Sequence, residues 1–140
     1  YLQEDPLPGT PAHTVLMRAA IGDHQVPTLG GQLMARATGA VHLDTGIRDI
    51  FDLEKVSMAE SGSSYVEYDF GLPEVPACMT PMLACEDPHG EIRHLEAAGM
   101  QLDTFLRTGR SESFCDGACS FPELSGCNGD EMVTECPADY

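Results

Sequence analysis

The chain predicts an α/β fold built on a parallel sheet. Three observations carry that expectation. Val15 to Ile21 is an almost unbroken apolar run that ends on Gly22-Asp23, as expected of a strand covered on both faces. A helical pattern follows it at once, and Ser64 to Phe70 supplies a second segment rich in β-formers. Strand, turn and helix in that order make a parallel α/β unit.

Tyr1 to Ala12 contains Pro6, Pro8 and Pro11 and reads as an extended lead-in. His13 to Gly22 is the first strand, interrupted in its apolar character only by Thr14 and Arg18. From Thr28 to Thr38 the apolar positions Leu29, Leu33, Met34 and Ala37 recur at helical spacing, with Gly39 as the C-terminal stop. Ala40 to Ser63 has no sustained period and reads as an irregular excursion with a short helix around Asp49 to Val56. Tyr65, Val66, Tyr68 and Phe70 mark the second strand, which ends at Gly71.

Pro73, Pro76, Pro81 and Pro88 then make residues 71 to 88 a long surface loop. The clearest helix spans about Gly90 to Thr108, where Ile92, Leu95, Ala98, Gly99, Leu102, Phe105 and Leu106 form one stripe. Asp87-Pro88 supplies its cap and first-turn proline. Glu91 lies near the positive end, and Arg107 near the negative end before Gly109. Residues 110 to 140 have no period. The expected division is a lead-in over 1–12, the α/β portion over 13–109 and a cysteine-rich tail over 110–140.

Composition narrows the function. With 23 acidic against 7 basic residues the formal charge is -16, and Lys55 is the single lysine. Such a surface repels phosphate backbones, so nucleic acid is not an expected partner. Calcium binding is the competing use of the acids, but no Asp-x-Asp-x-Asp-Gly loop occurs. The six cysteines, four of them (Cys115, Cys119, Cys127, Cys136) in the tail, read as disulfides of an oxidising compartment, which means secretion, the periplasm or the cell surface. Zinc is disfavoured because the tail has neither a Cys-x-x-Cys pair nor a histidine. Cys78 and Cys85 could close a loop of their own or stay free. No segment approaches the roughly 20 apolar residues of a membrane span. No metal or other cofactor is expected. With no signal peptide in view, the chain reads as a processed product or fragment.

Two residues carry the candidate chemistry. Asp23 stands where a buried strand gives way to a turn, the edge at which open α/β sheets collect functional groups. His89 lies between the proline-rich loop and the start of a helix. Acyl transfer by a nucleophile needs an imidazole to shuttle the proton and a carboxylate to fix its tautomer. The other histidines read differently: His24 more as a turn residue than as one lining the site, His13 and His42 as structural or surface positions, and His94 as a rival to His89 that ranks below it because a helix constrains it.

The order of elements, the turn Asp23-His24-Gln25-Val26-Pro27 and the loop Asp87-Pro88-His89-Gly90 resemble the C-terminal half of an α/β-hydrolase, the serine esterase and lipase superfamily. More narrowly, the chain is similar to secreted bacterial hydrolases with a Gly-Asp-His-Gln-Val turn and a cysteine-containing tail. The likeness spans roughly residues 13 to 109. It implies that Asp23 and His89 are the acid and the base of a Ser-Asp-His triad, that the fold is the last part of a hydrolase sheet, and that the substrate is an ester or lipid-like molecule.

The sequence departs from that family in one respect. It contains no Gly-x-Ser-x-Gly elbow, and the cluster Ser61-Gly62-Ser63-Ser64 precedes a strand instead of following one. The nucleophile and the oxyanion-hole donors are therefore expected upstream or in a second chain, and the 140 residues alone should not hydrolyse esters by this mechanism. A sheet holding only the strands near residues 15 and 65 would also leave long open edges, which calls for a partner: the upstream half of the same precursor or a second chain. The alternative class is a non-catalytic secreted structural or adhesion component, with the α/β portion as scaffold for the cysteine tail.

Overall fold

The computed structural model describes residues 5–72, 74 and 86–122. In chain order the elements are β1 (Leu16–Ala20), α1 (Thr28–Ala37), β2 (Val41–Leu43), β3 (Lys55–Val56), β4 (Met58–Ala59), β5 (Ser64–Tyr68), a 3-10 helix (Pro88–His94), α2 (Glu96–Thr108) and β6 (Ser111–Glu112). Four strands make a sheet in the order β1-β5-β2-β3, parallel throughout, and β4 and β6 form a small antiparallel pair. The α/β class with a parallel sheet is thus realised.

The sheet has more strands than two. Val41-His42-Leu43 slots beside β5, with Val41 opposite Ser64 and His42 opposite Tyr65, and β3 adds a further strand at residues 55–56. The short helix expected around Asp49 to Val56 does not form. That stretch instead makes a turn at Phe51-Asp52, with Asp52 at φ 57, and then β3. Strands of two or three residues are too short to display a period, so only their pairing reveals them.

Alternation along the central strand divides the core in two. Val66 and Tyr68 face one layer with Ala20, Leu43, Phe70, Leu95 and Ala98, while Tyr65 faces the other with Ala19, Ala35, Ala40 and Ile50. The layers belong to α2 and α1 respectively. Helix α1 packs through small groups: Thr28 and Ala35 are buried, and a Cβ added at Gly31 would lie 2.9 Å from the Tyr65 ring. Its larger residues Leu29, Leu33 and Met34 point outward, with Leu33 55% exposed. The apolar stripe read from the sequence is therefore not the face that meets the sheet. Close approach to Tyr65 excludes large side chains there.

The predicted helix over Gly90 to Thr108 is divided. Asp87 caps a 3-10 helix with Pro88 at its start, Leu95 adopts an extended conformation (ψ 126) that takes its side chain into the core, and α2 begins only at Glu96. Gly109, at φ 75, closes α2. Leu95 and Ala98 are buried as the stripe requires, Gln101 joins them, and Gly99 and Leu106 are exposed.

Beyond α2 the chain is woven back into the core. Ser111 Oγ receives the Ser64 hydroxyl at 2.8 Å, and β6 pairs with β4. Cys119 donates its N–H to Thr45 O (2.9 Å) and accepts from Asp69 N (3.0 Å), while Phe121 N reaches Asp69 O (2.7 Å). A disulfide joins Cys115 to Cys119, and both pack on the α2-side core. Cys78, Cys85, Cys127 and Cys136 lie outside the described residues, as does most of the proline-rich loop.

Candidate active site

The acid turn starts where β1 leaves the sheet. Ile21 N still bonds to Tyr68 O at 2.9 Å, and Gly22 then takes φ 83, a left-handed conformation that disfavours a side chain. This reversal brings Asp23 back over the carboxyl end of the sheet, where it is 6% exposed. A buried carboxylate needs donors. Asp23 Oδ1 accepts from Gln25 N (2.8 Å) and Val26 N (2.9 Å), so the turn itself satisfies and orients it. Pro27 then leads into α1.

The structure brings Asp23 and His89 together, although 66 positions separate them. Nδ1 of His89 lies 3.0 Å from Asp23 Oδ2 and 3.2 Å from Oδ1. A carboxylate only accepts, so Nδ1 carries the proton in this arrangement and Nε2 is left as the basic nitrogen. Because the two nitrogens lie on different sides of the ring, Nε2 is directed away from Asp23. The His89 side chain is 36% exposed, so its outer part is open to a reactant. Buried Pro88 anchors the backbone beneath it.

A second carboxylate stitches the two loops. Asp87 Oδ1 accepts from His89 N (3.0 Å) and His24 N (3.2 Å), and Oδ2 accepts from Gln25 Nε2 (2.8 Å). Desolvation tends to raise the Asp87 pKa, but these hydrogen bonds outweigh it and hold the group below the usual carboxylate range. Sequence reading finds only the capping role of Asp87; the contacts to His24 and Gln25 join positions more than sixty residues apart.

A groove of about 270 Å³ runs beside the pair, bounded by Met17, Arg18, Ala20, Val26, Met34 and Tyr65 among others. Its walls come from β1, from α1 through Gly31 and Met34, and from Ile92 of the 3-10 helix. Arg18 Nη1 donates to Ala98 O at 3.1 Å, so this groove-lining guanidinium is steadied by α2.

The remaining histidines stand apart from the pair's contact. His24 is half-buried in the acid turn, His13 is exposed, and His94 is exposed at the end of the 3-10 helix, before α2. His42 is buried in β2, its Nδ1 without a hydrogen-bond partner among the described residues, and burial lowers its pKa below the ordinary 6.5. The serine cluster is at the opposite end of the sheet from Asp23 and His89. Ser63 Oγ accepts from Val15 N and Ser64 Oγ donates to Ser111, both at the amino-terminal ends of the parallel strands β1 and β5. Asp23 and His89 lie at the carboxyl ends, about 16 Å away at the rise of a strand.

Sequence reading also misses a buried polar cluster under α1. Glu67, fully buried in β5, accepts from Arg48 Nε (2.6 Å), Tyr65 Oη (2.8 Å) and Gln32 Nε2 (2.9 Å). Burial and the neighbouring Glu67 raise the Tyr65 pKa, so its hydroxyl stays a donor. Arg48 also reaches Glu74 at 2.8 Å. The signal was a carboxylate in the middle of a strand buried on both faces, which demands a cation from elsewhere in the chain.

Among the described residues no group of three or more His, Cys, Asp or Glu side chains is placed to hold a metal ion, and no helix is long and apolar enough to cross a membrane. Comparison with protein-family models, with curated proteins and with solved structures finds no match.

Proposed function

We propose that this chain is the C-terminal part of a secreted serine hydrolase of the α/β-hydrolase type, acting on carboxylic esters or lipid-like substrates. The observation that carries this reading is the contact of buried Asp23, at the end of a parallel strand, with His89 Nδ1 at 3.0 Å. That is the acid-base geometry of a catalytic triad.

In this reading a serine from an upstream segment or a second chain stands at His89 Nε2. Nε2 takes the serine proton as the oxygen attacks the ester carbonyl, and Asp23 stabilises the imidazolium that results. The tetrahedral intermediate then collapses, the bond to the alcohol breaks, and Nε2–H returns its proton to the departing oxygen. Water, deprotonated by Nε2, attacks the acyl-serine; on collapse of this second intermediate the serine oxygen recovers the proton and the acid is released. Oxyanion-hole donors come from the same missing half.

Two features support completion by another segment. Ile21 N bonds to Tyr68 O and Ser64 N to Val15 O, so odd-numbered positions of β1 face β5. The N–H and C=O groups of Leu16, Arg18 and Ala20 therefore face away from β5, where no strand among the described residues pairs with them. On α1, exposed Leu29, Leu33 and Met34 form an apolar surface of the kind that another layer covers. The Cys115–Cys119 disulfide supports an oxidising compartment.

The test is ester turnover by the complete protein. His89→Ala should lower kcat by about 10⁴-fold or more. Turnover unchanged in that variant would remove His89 from catalysis and leave the secreted scaffold as the better reading.

A further inference from the structure

We propose that Asp87 is a positioning residue for the Asp23–His89 pair, a clamp between the acid turn and the histidine loop that sets their separation. The inference rests on the pair being the acid and base of the proposed hydrolase.

Capping explains only one of the three contacts of Asp87. As a cap its carboxylate needs to accept from His89 N, and a serine would serve nearly as well. The other two contacts go to a different loop, to the backbone of His24 and the side chain of Gln25. These are the residues directly after Asp23. Gln25 is held at both ends, its backbone N–H by Asp23 and its side-chain amide by Asp87.

The result is a closed ring. Asp23 holds the ring of His89, Asp87 holds the backbone of His89, and Gln25 joins the two carboxylates. Each loop thus supplies an acid that grips the other loop. Hydrogen bonds to an ionised acceptor are the stronger kind, and three of them fix Asp87 without burying it. This matters because His89 is carried by a short 3-10 helix that begins only at Pro88, so contacts with the acid turn set the imidazole's position relative to β1. A carboxylate–imidazole contact loses its directing effect on the tautomer when the loops separate by an ångström.

The discriminating variant is Asp87→Ser, which retains a helix cap but cannot span to Gln25. The probe is the His89 Nδ1–H proton in NMR spectra of the full 140-residue chain with ¹⁵N-labelled histidine, read beside Asp23→Asn. In the unmodified chain the proposal expects a slowly exchanging Nδ1–H signal that Asp23→Asn removes. Asp87→Ser should also remove it by exchange with solvent, while the amide spectrum of the sheet stays dispersed. Gln25→Ala, at an exposed position that cannot unfold the core, should broaden the signal and provides the reading if Asp87→Ser does not fold. A signal sensitive to Asp23→Asn but intact in Asp87→Ser or in Gln25→Ala overturns the clamp and leaves the pair standing. Absence of any Asp23-dependent signal in the unmodified chain overturns the pair, and the clamp with it.

Discussion

The two edges of the parallel sheet are finished differently. At one edge β3 is two residues long and carries Lys55, whose ammonium meets Asp49 at 2.5 Å and Asp44 at 3.6 Å. Its hydrogen bond to Asp49 raises the Lys55 pKa, so the charge persists. A short, charged strand is how natural sheets discourage further pairing. At the other edge β1 is five residues long, largely apolar, and bordered by a groove that reaches the Asp23–His89 pair. The difference teaches where this fold closes off pairing and where, among the described residues, it leaves a strand unpaired: the charged edge is separated from β1 by β5 and β2, and the apolar edge is β1 itself, which leads into Asp23.

The largest effect should come from breaking the buried cluster that lies between the two edges, on β5. Removing the Glu67 carboxylate by Glu67→Ala leaves the Tyr65 hydroxyl with only the long contact to Thr28 O at 3.4 Å and takes the acceptor from the Gln32 amide and from Arg48 Nε. The expected cost is about 3 kcal/mol, read as a lower denaturation midpoint. A variant within about 0.5 kcal/mol of the unmodified chain would show that the cluster does not hold α1 to the sheet.

The open edge predicts an alternation within one strand. Met17 and Ala19 amides, bonded towards β5, should exchange with deuterium on the order of 100-fold more slowly than those of Leu16, Arg18 and Ala20. Equal protection along β1 would mean that its second side already has a partner. If the proposed hydrolase is completed along this edge, the even-numbered amides should become protected as well.

A smaller effect concerns His42, next to the closed edge. Burial lowers its pKa below 6.5, opposed by Glu67, Asp44 and Asp49 and aided by Lys55. Its folded-state pKa is therefore below the unfolded one, and between the two values the unfolded chain holds more protons. Stability should fall as pH drops through 6.5 and level off below the folded pKa. His42→Gln should flatten that part of the curve, measured as Tm against pH; an unchanged slope would mean that His42 does not contribute to it.

The contrast between the edges also explains what could be read without coordinates. Asp23 and His89 were legible because each sits at a boundary marked by its neighbours, Gly22 before one and Pro88 before the other. The strands β1 and β5 showed themselves by composition. β2 and β3 did not, because two or three residues carry no period and their stability comes from pairing with distant partners. Helix α1 was found but its orientation was not. Leu29, Leu33 and Met34 have the spacing of a core stripe, yet the sheet accepts only the small face of Thr28, Gly31 and Ala35. Asp87 shows the same limit, since its cap to His89 N is local and its contacts to His24 and Gln25 are not.

Fluorophosphonate labelling of the complete protein, followed by mapping of the labelled residue, tests the central claim most directly. The account predicts a label on a serine outside these 140 residues, lost when His89 is replaced by alanine, and no label on the 140-residue chain alone. A label on Ser61, Ser63 or Ser64, or one that survives His89→Ala undiminished, would contradict it.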